Sequence, residues 1–533
     1  RPSGAGGVAT TLAERCAAVR LELRCDKAGI LALYASRAPY GGNVVGLEAA
    51  GFRWFGRPSG TLTWAEAAAL AVLPNSPGLV HPGRSRDELR RKRDALLGKL
   101  AASGAMPEPE YRAALAEPLP GAPLPMPDLA PHLLSKAGPG RVETSLDWQL
   151  QAAAMEAAVR HATGMARHGV RNLAAVILRV DDGSVAAYVG NAPRGTVPGH
   201  VAPETPKTGT VPEAPDRRAA PWVDCAVAPR SSGSILKPFL YAAMIDLGEL
   251  SPSRLVPDIP TRVGSYSPEN NLKTCAGAVR ADEALARSLN VPFVRLLRSY
   301  GVERFASLLG RFGFSTLNRA PADYGLTLIL GGAETTLLDA ASAYAALARI
   351  AKDGEPKGEE TKEDDAASRF VGAYWRSHAD ARGAGGDGEP RTGASRPLAG
   401  GPDALRPFDP PFSAGAAWLT LEALVKVARP GDEASWQEYA SARRGAWKTG
   451  TSFGSRDAWA LGVTPGFVVA VWVGNADGEG RPELKGTDAA APLLFNLFQS
   501  LPREAWFEEP MRSLRYETVC AASGYVADRK SVV

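Results

Sequence analysis

The first part of the chain has apolar residues at helical spacing. Through residues 11–117 they recur at intervals of three and four, which is the period of one helix face. One such run, Trp64–Leu73, stops at a proline, and another covers Ser85–Leu115 with a break near a second proline. Ser85 with Glu88 three residues later predicts a capping box at the start of the second run. The pattern predicts a mainly α-helical N-terminal part.

A proline-rich segment follows this helical part. Six of the fourteen residues from Pro118 to Pro131 are proline, which excludes a continuous helix or a central strand over that stretch. We therefore predict a semi-rigid linker over residues 118–141, with residues 1–117 as a separate domain.

Two strand–turn–strand patterns bracket the remaining chain. Residues 174–180 and 184–189 flank Asp-Asp-Gly, and residues 458–463 and 467–473 flank Thr-Pro-Gly, both of which suit a tight hairpin. Helical periodicity predicts four helices between the hairpins, at residues 234–247, 281–300, 302–312 and 337–351. Strands at both ends with helices between them predict an α+β domain whose hairpins pair in one antiparallel sheet.

One stretch interrupts this pattern. Residues 352–396 are rich in Gly, Glu, Asp and Lys, and large apolar residues are few outside residues 370–375. Such a composition cannot bury enough apolar surface to offset the loss of chain entropy. We predict a solvated, partly disordered insertion.

Composition limits the function classes. A length of 533 residues indicates two or three domains, and 45% hydrophobic with 22% charged residues is typical of a folded protein. The 61 basic and 57 acidic residues give a net charge of +4, which provides no overall attraction to nucleic acid. No apolar run approaches the roughly 20 residues that cross a bilayer.

The metal-binding residue types are sparse. The five cysteines include no Cys-x-x-Cys pair, which argues against a metal site or a disulfide scaffold and leaves one or two bridges open. We predict no metal and no cofactor. The six histidines are few, and none lies within thirty residues of Ser234, the candidate nucleophile described next.

Ser234 and Lys237 form the first candidate motif. Residues three apart on a helix share a face, so the amine can reach the hydroxyl and remove its proton. A lysine can act as this base when burial or a nearby positive charge lowers its pKa. Ser and Lys at this spacing also occur by chance about once or twice in a chain of this size. Pro238 is tolerated if it lies in the first helical turn, which places Ser234 at the helix N-terminus.

Two further motifs have simple structural alternatives. In one interpretation Ser288 relays a proton and Asn290 holds a substrate amide or orients the lysine. In the other, both side chains cap a helix ahead of Pro292. Lys448, Thr449, Gly450 and Thr451 offer a positive charge, two hydroxyls for a carboxylate and a close backbone approach, or a polar edge strand. Strand alternation puts both threonines on one face and the lysine on the other, so how they serve one pocket does not follow from the sequence.

Together the three motifs are far more specific. Ser-x-x-Lys, Ser-x-Asn and Lys-Thr-Gly in this order are the signature of penicillin-binding proteins and serine β-lactamases. The sequence resembles the class A penicillin-binding proteins, which are bifunctional cell-wall synthases. Four segments carry this resemblance: Arg230–Tyr241, Ser288–Pro292, Leu328–Ala333 and Trp447–Trp459. It implies a transpeptidase domain over residues 142–510, with a five-stranded antiparallel sheet and helices on both sides.

The helical N-terminal part resembles the C-terminal half of a family 51 peptidoglycan glycosyltransferase. Ala38–Asn43 and Glu66–Pro74 carry much of that likeness. The family's Glu-Asp-x-x-Phe motif, which bears its catalytic glutamate, does not occur in the chain. In a second motif Ala32 replaces Glu and Ser36 replaces Asn. Glycosyl transfer is therefore expected of an intact parent and not of this chain.

The resemblance implies a D,D-transpeptidase that cross-links D-Ala-D-Ala stem peptides through an acyl-enzyme on Ser234. Lys237 would be the base, Ser288 the proton relay, Asn290 the amide contact, and Lys448, Thr449 and Thr451 the carboxylate site. Expected ligands are stem peptides, lipid-linked glycan strands and β-lactams, with wall-synthesis proteins as partners. The expected location is the periplasmic face of a bacterial inner membrane. A D,D-carboxypeptidase, a β-lactamase and a non-catalytic binding module remain alternatives.

The two ends suggest a longer parent protein. The first seven residues do not resemble a natural start, and residues 528–533 resemble the translation of a sequencing adapter. Residues 513–533 resemble the opening of the family's C-terminal accessory domain. We expect both a missing anchor and a missing C-terminal region.

Overall fold

The computed structural model describes most of the chain, in two compact units. It covers residues 8–41, 43–75, 85–124, 126, 128–137, 144–192, 220–353, 374–376, 395–397, 410–430 and 443–526. The first unit contains residues 1–128, and the second contains most of residues 129–533. The two predicted terminal features, residues 1–7 and 528–533, lie outside the described residues, as does most of the predicted insertion.

The first unit is helical. Its helices are α1 (Val8–Glu22), α2 (Lys27–Arg37), α3 (Leu47–Phe55), α4 (Trp64–Val72), α5 (Arg86–Ala102) and α6 (Glu108–Ala116). Buried side chains of α3, α4 and α5, among them Trp54, Leu70 and Leu89, form one apolar cluster. The indole of Trp54 donates a hydrogen bond to the Tyr40 carbonyl oxygen at 2.9 Å, which ties the loop before α3 to this cluster.

The capping box lies at a different helix from the one predicted. Ser85 precedes α5 in a left-handed conformation and makes no side-chain cap, so the prediction there was wrong. Thr63 and Glu66 instead form a complete capping box at the start of α4. Ser and Glu at the right spacing are insufficient when the backbone at the cap leaves the extended region that the motif requires.

The second unit combines helices and strands. Its helices are α7 (Pro131–Ala137), α8 (Trp148–Ala166), α9 (Lys237–Asp246), α10 (Ala281–Ala286), α11 (Asn290–Tyr300), α12 (Val302–Arg311), α13 (Pro321–Tyr324), α14 (Leu337–Asp353), α15 (Ala414–Val425) and α16 (Ala491–Gln499). Its strands are β1 (Asn172–Arg179), β2 (Val185–Val189), β3 (Arg230–Ser231), β4 (Leu255–Asp258), β5 (Gly277–Arg280), β6 (Glu334–Thr335), β7 (Tyr374–Arg376), β8 (Ser395–Pro397), β9 (Ala446–Thr451), β10 (Asp457–Val463) and β11 (Phe467–Gly474).

The main sheet has the strand order β2-β1-β11-β10-β9, and it is antiparallel throughout. Both hairpins form, and they join where β1 pairs with β11, from Asn172 opposite Gly474 to Arg179 opposite Phe467. Every residue of β10 is buried. Because alternate side chains of a strand point to opposite faces, this burial means that both faces of the sheet are covered. The predicted α+β arrangement is confirmed.

Helices α8 and α16 contact each other and the sheet, and so do α14 and α15. Fully buried aromatic side chains from the sheet, including Trp447, Trp459 and Trp472, fill the space between these layers. This core fixes the positions of β9, which carries the Lys-Thr-Gly motif, and of α9, which begins at Lys237 of the Ser-x-x-Lys motif.

Two predicted irregular segments contain regular structure. Helix α7 lies within residues 118–141, and Pro131 occupies its first position, where a missing N–H costs nothing. Within the predicted insertion, β7 pairs with β8. The domain boundaries inferred from the sequence remain predictions.

Candidate active site

Ser234 lies in a turn immediately before α9. The Ile235 amide donates to the Ser232 carbonyl at 3.3 Å, and the Lys237 amide donates to the Ser234 carbonyl at 3.4 Å. The helix therefore begins at Lys237, three residues later than predicted. The reason is that Gly233 has a positive φ of 54° and starts a tight turn that continues through Leu236.

Lys237 is completely buried and faces the second motif. Its Nζ lies 2.8 Å from the Ser288 carbonyl oxygen, 3.2 Å from the Leu289 carbonyl oxygen and 2.8 Å from Asn290 Oδ1. A weaker contact of 3.4 Å joins it to the Ser288 hydroxyl. Among the described residues, none forms a hydrogen bond with the Ser234 hydroxyl, which opens on the cleft.

The predicted helix at residues 281–300 is broken at Ser288. Helix α10 ends at Ala286 and α11 begins at Asn290, with Ser288 between them at a φ of +55°. A left-handed serine costs of order 1–3 kcal/mol and tends to occur where surrounding contacts require it. Here that conformation turns both the carbonyl and the hydroxyl of Ser288 toward the buried lysines.

Lys448 approaches Ser288 from the sheet. Its side chain is 1% exposed, and its Nζ donates to the Ser288 hydroxyl at 2.8 Å and to the Thr449 carbonyl at 2.7 Å. Ser288 therefore lies within hydrogen-bond distance of both lysine amines. Strand alternation places Lys448 on the face opposite the two threonines. Its amine nevertheless serves the same cleft, because it contacts the Ser288 hydroxyl there.

Strand β9 is the edge of the sheet and presents unpaired backbone groups. The Ser452 amide donates to the opposite Asp457 carbonyl at 3.0 Å. Hydrogen-bonded pairs alternate in an antiparallel ladder, so the amide and carbonyl of Thr451, opposite Ala458, point to the free edge. A Cβ on Gly233 would lie 2.8 Å from both the nitrogen and the oxygen of Thr451. The turn that holds Ser234 thus packs directly against this edge.

Gly450 permits a second close approach. A Cβ there would lie 2.9 Å from the Ser232 carbonyl oxygen and 2.7 Å from Ile235 Cγ2. Thr451 is fixed on the other side, because its hydroxyl oxygen accepts a hydrogen bond from the Gly486 amide at 3.0 Å. The hydroxyl proton of Thr451 remains available to a ligand.

Burial changes the protonation of both lysines. Desolvation lowers the pKa of Lys448 from 10.5 to about 7. Desolvation, followed by repulsion from Lys448, holds the pKa of Lys237 well below its usual value. A neutral amine can accept a proton, so burial gives Lys237 the property that a general base needs.

These segments meet at one cleft of about 330 Å³. Five of the predicted residues line it: Ser234, Ser288, Asn290, Thr449 and Thr451. Lys237 and Lys448 reach it through Ser288. Gly450 is buried beside it as a spacer.

Sequence reasoning missed other residues that line the cleft. Lys426, at the end of α15, lines it while its amine pairs with buried Asp282 at 2.7 Å. Arg287, Asn271 and Thr487 also line it. Arg287 immediately precedes Ser288 and could have been considered, whereas Lys426 and Thr487 lie in segments without a recognisable motif.

The described residues contain no candidate metal cluster, disulfide bond or membrane-spanning helix. No group of three or more His, Cys, Asp or Glu side chains among them could hold a metal ion. All five cysteines lie in the described part of the chain and are free thiols. No described helix is both long and apolar enough to traverse a lipid bilayer.

Comparison with known protein families agrees with this geometry. A transglycosylase model matches residues 7–101, and a penicillin binding protein transpeptidase domain model matches residues 173–356, which include Ser234 and Ser288. The chain therefore belongs to the class A penicillin-binding proteins, in which a transglycosylase region precedes a transpeptidase domain.

Two relatives show how similar the chain is to individual penicillin-binding proteins. The chain is 32% identical to penicillin-binding protein 1C of Escherichia coli (strain K12) over 481 residues, which is 90% of this chain and 54% of that protein. It is 25% identical to penicillin-binding protein 1A of Vibrio cholerae serotype O1 over 86% of this chain and 69% of that protein. The chain thus spans about half the length of the first relative.

A solved structure supports the fold. The crystal structure of penicillin-binding protein 1A from Haemophilus influenzae superposes with a TM-score of 0.54 at 20% identity, covering 94% of this chain and 90% of that one. The predicted architecture, a helical glycosyltransferase-like region followed by an α+β transpeptidase domain, is confirmed.

Proposed function

We propose that the second unit is a serine D,D-transpeptidase that cross-links peptidoglycan stem peptides ending in D-Ala-D-Ala. The observation that carries this proposal is the convergence of three chain segments on one cleft, with the Ser288 hydroxyl between two buried lysine amines. The names of the relatives, which are penicillin-binding proteins, support the same reaction class.

The first half-reaction forms an ester. Lys237 takes the proton of the Ser234 hydroxyl, and the serine oxygen attacks the carbonyl carbon of the penultimate D-Ala. The C–N bond then breaks, and the proton held by Lys237 passes through the Ser288 hydroxyl to the departing D-Ala amine. A base and a nucleophile in a free enzyme often come into hydrogen-bond contact only when the substrate is bound.

Backbone amides would stabilise the developing negative charge. The Thr451 amide points to the free edge of β9 beside the Ser234 turn, which suits an oxyanion hole formed with the Ser234 amide. One such donor is worth about 3 kcal/mol of transition-state stabilisation. Lys448 and the hydroxyls of Thr449 and Thr451 would bind the terminal carboxylate, and Asn290 a stem amide.

The second half-reaction transfers the acyl group. An amine of a neighbouring stem peptide attacks the ester carbon and forms the new amide. The ester C–O bond breaks, and the proton that the amine loses returns to the Ser234 oxygen. A D,D-carboxypeptidase or a β-lactamase would use water at this step. None of the described residues that line the cleft is Asp or Glu, so they include no carboxylate base to activate that water. The lifetime of the acyl-enzyme distinguishes transfer to an amine from hydrolysis.

For the first unit we propose no glycosyl transfer by this chain, since Ala32 and Ser36 replace the family's Glu and Asn. An intact parent would bind lipid-linked glycan strands at the periplasmic face of a bacterial inner membrane, with wall-synthesis proteins as partners. A non-catalytic binding module is the alternative, and covalent labelling by a penicillin distinguishes the two.

β-Lactams resemble the D-Ala-D-Ala amide and should acylate Ser234. We expect a fluorescent penicillin to label the wild-type chain covalently and to leave Ser234→Ala unlabelled. A label that persists for minutes or longer supports a transpeptidase, whereas clearance within seconds would indicate a β-lactamase. Full labelling of Ser234→Ala would contradict the proposal.

A further inference from the structure

A buried asparagine outside the three motifs contacts the second one. Asn270 lies in the segment between β4 and β5 and is 6% exposed. Its Oδ1 accepts the backbone amides of Asn290 at 2.8 Å and Val291 at 3.1 Å, which are two unpaired donors at the start of α11. The side chain therefore fixes the position at which α11 begins.

The side-chain nitrogen of Asn270 also makes two hydrogen bonds. Its Nδ2 donates to Asp258 Oδ1 at 2.7 Å and to the Thr274 carbonyl at 2.9 Å. Asp258 is 1% exposed, and its second oxygen accepts the Ala276 amide at 2.8 Å. A simple helix cap needs only the acceptor, whereas this side chain uses both its oxygen and its nitrogen.

The same segment orients the Asn290 side chain. Asn290 Nδ2 donates to the carbonyl oxygen of Glu269 at 2.8 Å. A carbonyl oxygen only accepts, so the amide of Asn290 cannot flip without losing this bond. Its Oδ1 is consequently directed at Lys237 Nζ, 2.8 Å away. A continuous path of hydrogen bonds thus leads from Asp258 through Asn270 and Asn290 to the candidate base.

We propose that Asn270 is a positioning residue for the acylation step and that it acts on Lys237 through Asn290. The inference rests on the proposed function of the cleft. Without the Asn270 side chain, two backbone amides of the first turn of α11 would lose their acceptor. The neighbouring Glu269 carbonyl, which orients the Asn290 side chain, would lose the anchor that Asn270 gives its segment. Lys237 would then keep its burial and lose a well-placed acceptor.

The charges around Lys237 set the direction of the effect. Lys448 is the charged group whose repulsion lowers the pKa of Lys237, Lys426 and Arg287 line the cleft, and Asp258 lies behind Asn270. The Glu269 side chain is exposed. An acceptor stabilises the ammonium form, so loss of Asn290 Oδ1 should lower the pKa of Lys237 further.

The test is the pH profile of acylation by a fluorescent penicillin. In Asn270→Ala we expect the plateau rate to fall about tenfold or more. The rising limb, which reports deprotonation of the base, should move to lower pH by roughly half a unit. Asn270→Ser replaces the alanine variant if that variant does not fold, with the same direction expected.

Asn475→Ala is the matched control. Asn475 is also buried and makes three hydrogen bonds, to the Arg171 amide at 2.8 Å and to the carbonyls of Gly169 at 3.3 Å and Glu479 at 3.0 Å. Its loss should lower stability and leave the rising limb at the wild-type pH. A merely structural role of Asn270 would give that same result.

A double-mutant cycle tests the route through Asn290. In an Asn290→Ala background, Asn270→Ala should produce no further shift of the rising limb. An unshifted limb in the single variant, or a full shift in that background, would overturn the inference. Wild-type protein that is not acylated at all would instead contradict the proposed function.

Discussion

Ser288 couples the two buried lysines of the cleft. Its hydroxyl lies 2.8 Å from Lys448 Nζ and 3.4 Å from Lys237 Nζ, and its carbonyl accepts from Lys237 at 2.8 Å. These contacts depend on the left-handed backbone of one non-glycine residue. Strain at this position is consistent with a functional requirement, since an extended or helical serine could not offer both oxygens in this way.

Two substitutions at Ser288 distinguish the effect of backbone strain from the effect of the hydroxyl group. Ser288→Gly removes both, whereas Ser288→Ala removes the hydroxyl and keeps a Cβ in the left-handed region. We expect the glycine variant to be more stable than the alanine variant by about 1 kcal/mol. Both should acylate more slowly than wild type. Urea unfolding measures the difference, and an alanine variant as stable as the glycine variant would argue against backbone strain.

The sequence predicted which residues meet at the cleft better than it predicted their geometry. Ser234, Ser288 and Lys448 were found because each belongs to a short motif with a fixed spacing. Asn270 and Lys426 were missed because they lie in segments that have no local pattern, Asn270 behind Asn290 and Lys426 at the cleft itself. The left-handed conformation of Ser288 was also missed, since serine has no strong preference for it.

At the scale of elements, the contact between β9 and the Ser234 turn determines the shape of the cleft. Two glycines, Gly233 and Gly450, allow the backbones to approach without an intervening side chain. This contact brings the unpaired Thr451 amide next to the serine. The oxyanion hole in our proposal depends on it.

A methyl group at Gly450 should separate the two elements. The added Cβ of Gly450→Ala would lie 2.9 Å from the Ser232 oxygen and 2.7 Å from Ile235 Cγ2, so the strand or the turn must shift. We expect the rate of penicillin acylation to fall about 10²-fold, as small misplacements of reacting groups do. Stopped-flow fluorescence with a labelled penicillin measures this rate.

Gly164→Ala provides the control. Gly164 lies within α8, and an added Cβ there would meet no heavy atom within 4 Å. It should stabilise the fold by roughly 0.5–1 kcal/mol and leave acylation unchanged. A Gly450→Ala variant that acylates at the wild-type rate would show that close contact is not required.

Element boundaries were harder to predict than element types. The two hairpins were found because continuous apolar runs flank strong turn sequences, and β1 and β11 are buried almost throughout. The helix at Ser234 begins later, and the helix at residues 281–300 is broken. Both errors occur at the cleft, where close tertiary contacts override helical propensity.

At the scale of the whole molecule, the buried lysines should reduce stability at neutral pH. The pKa of Lys448 falls from 10.5 to about 7 on folding. Between these values the unfolded chain binds a proton that the folded chain does not, so the free energy of unfolding rises with pH. Below about pH 7 both states are protonated, and the folded state carries the full cost of the buried charge.

Lys448→Met should therefore be more stable and inactive. At pH 7 we expect its free energy of unfolding to exceed that of wild type by about 1–3 kcal/mol. Its stability should also rise less steeply between pH 7 and pH 10. Unfolding can be monitored by tryptophan fluorescence, because Trp447, Trp459 and Trp472 are buried in the second unit.

Exposed Lys485 offers the comparison. Lys485→Met should change stability by less than about 0.5 kcal/mol and keep the wild-type pH dependence. A Lys448→Met variant that is less stable than wild type at pH 7 would contradict this prediction. It would show that the hydrogen bonds of the lysine stabilise the fold by more than burial of its charge destabilises it.

We expect Ser234 to be the residue that is acylated in this chain. Trypsin should release it in the fragment Ser231–Arg254, since Pro238 blocks cleavage after Lys237. After reaction with penicillin, mass spectrometry should find one penicilloyl group per chain in this fragment, with fragment ions that assign it to Ser234. A penicilloyl group on any other residue, or no covalent adduct with folded protein, would contradict the account.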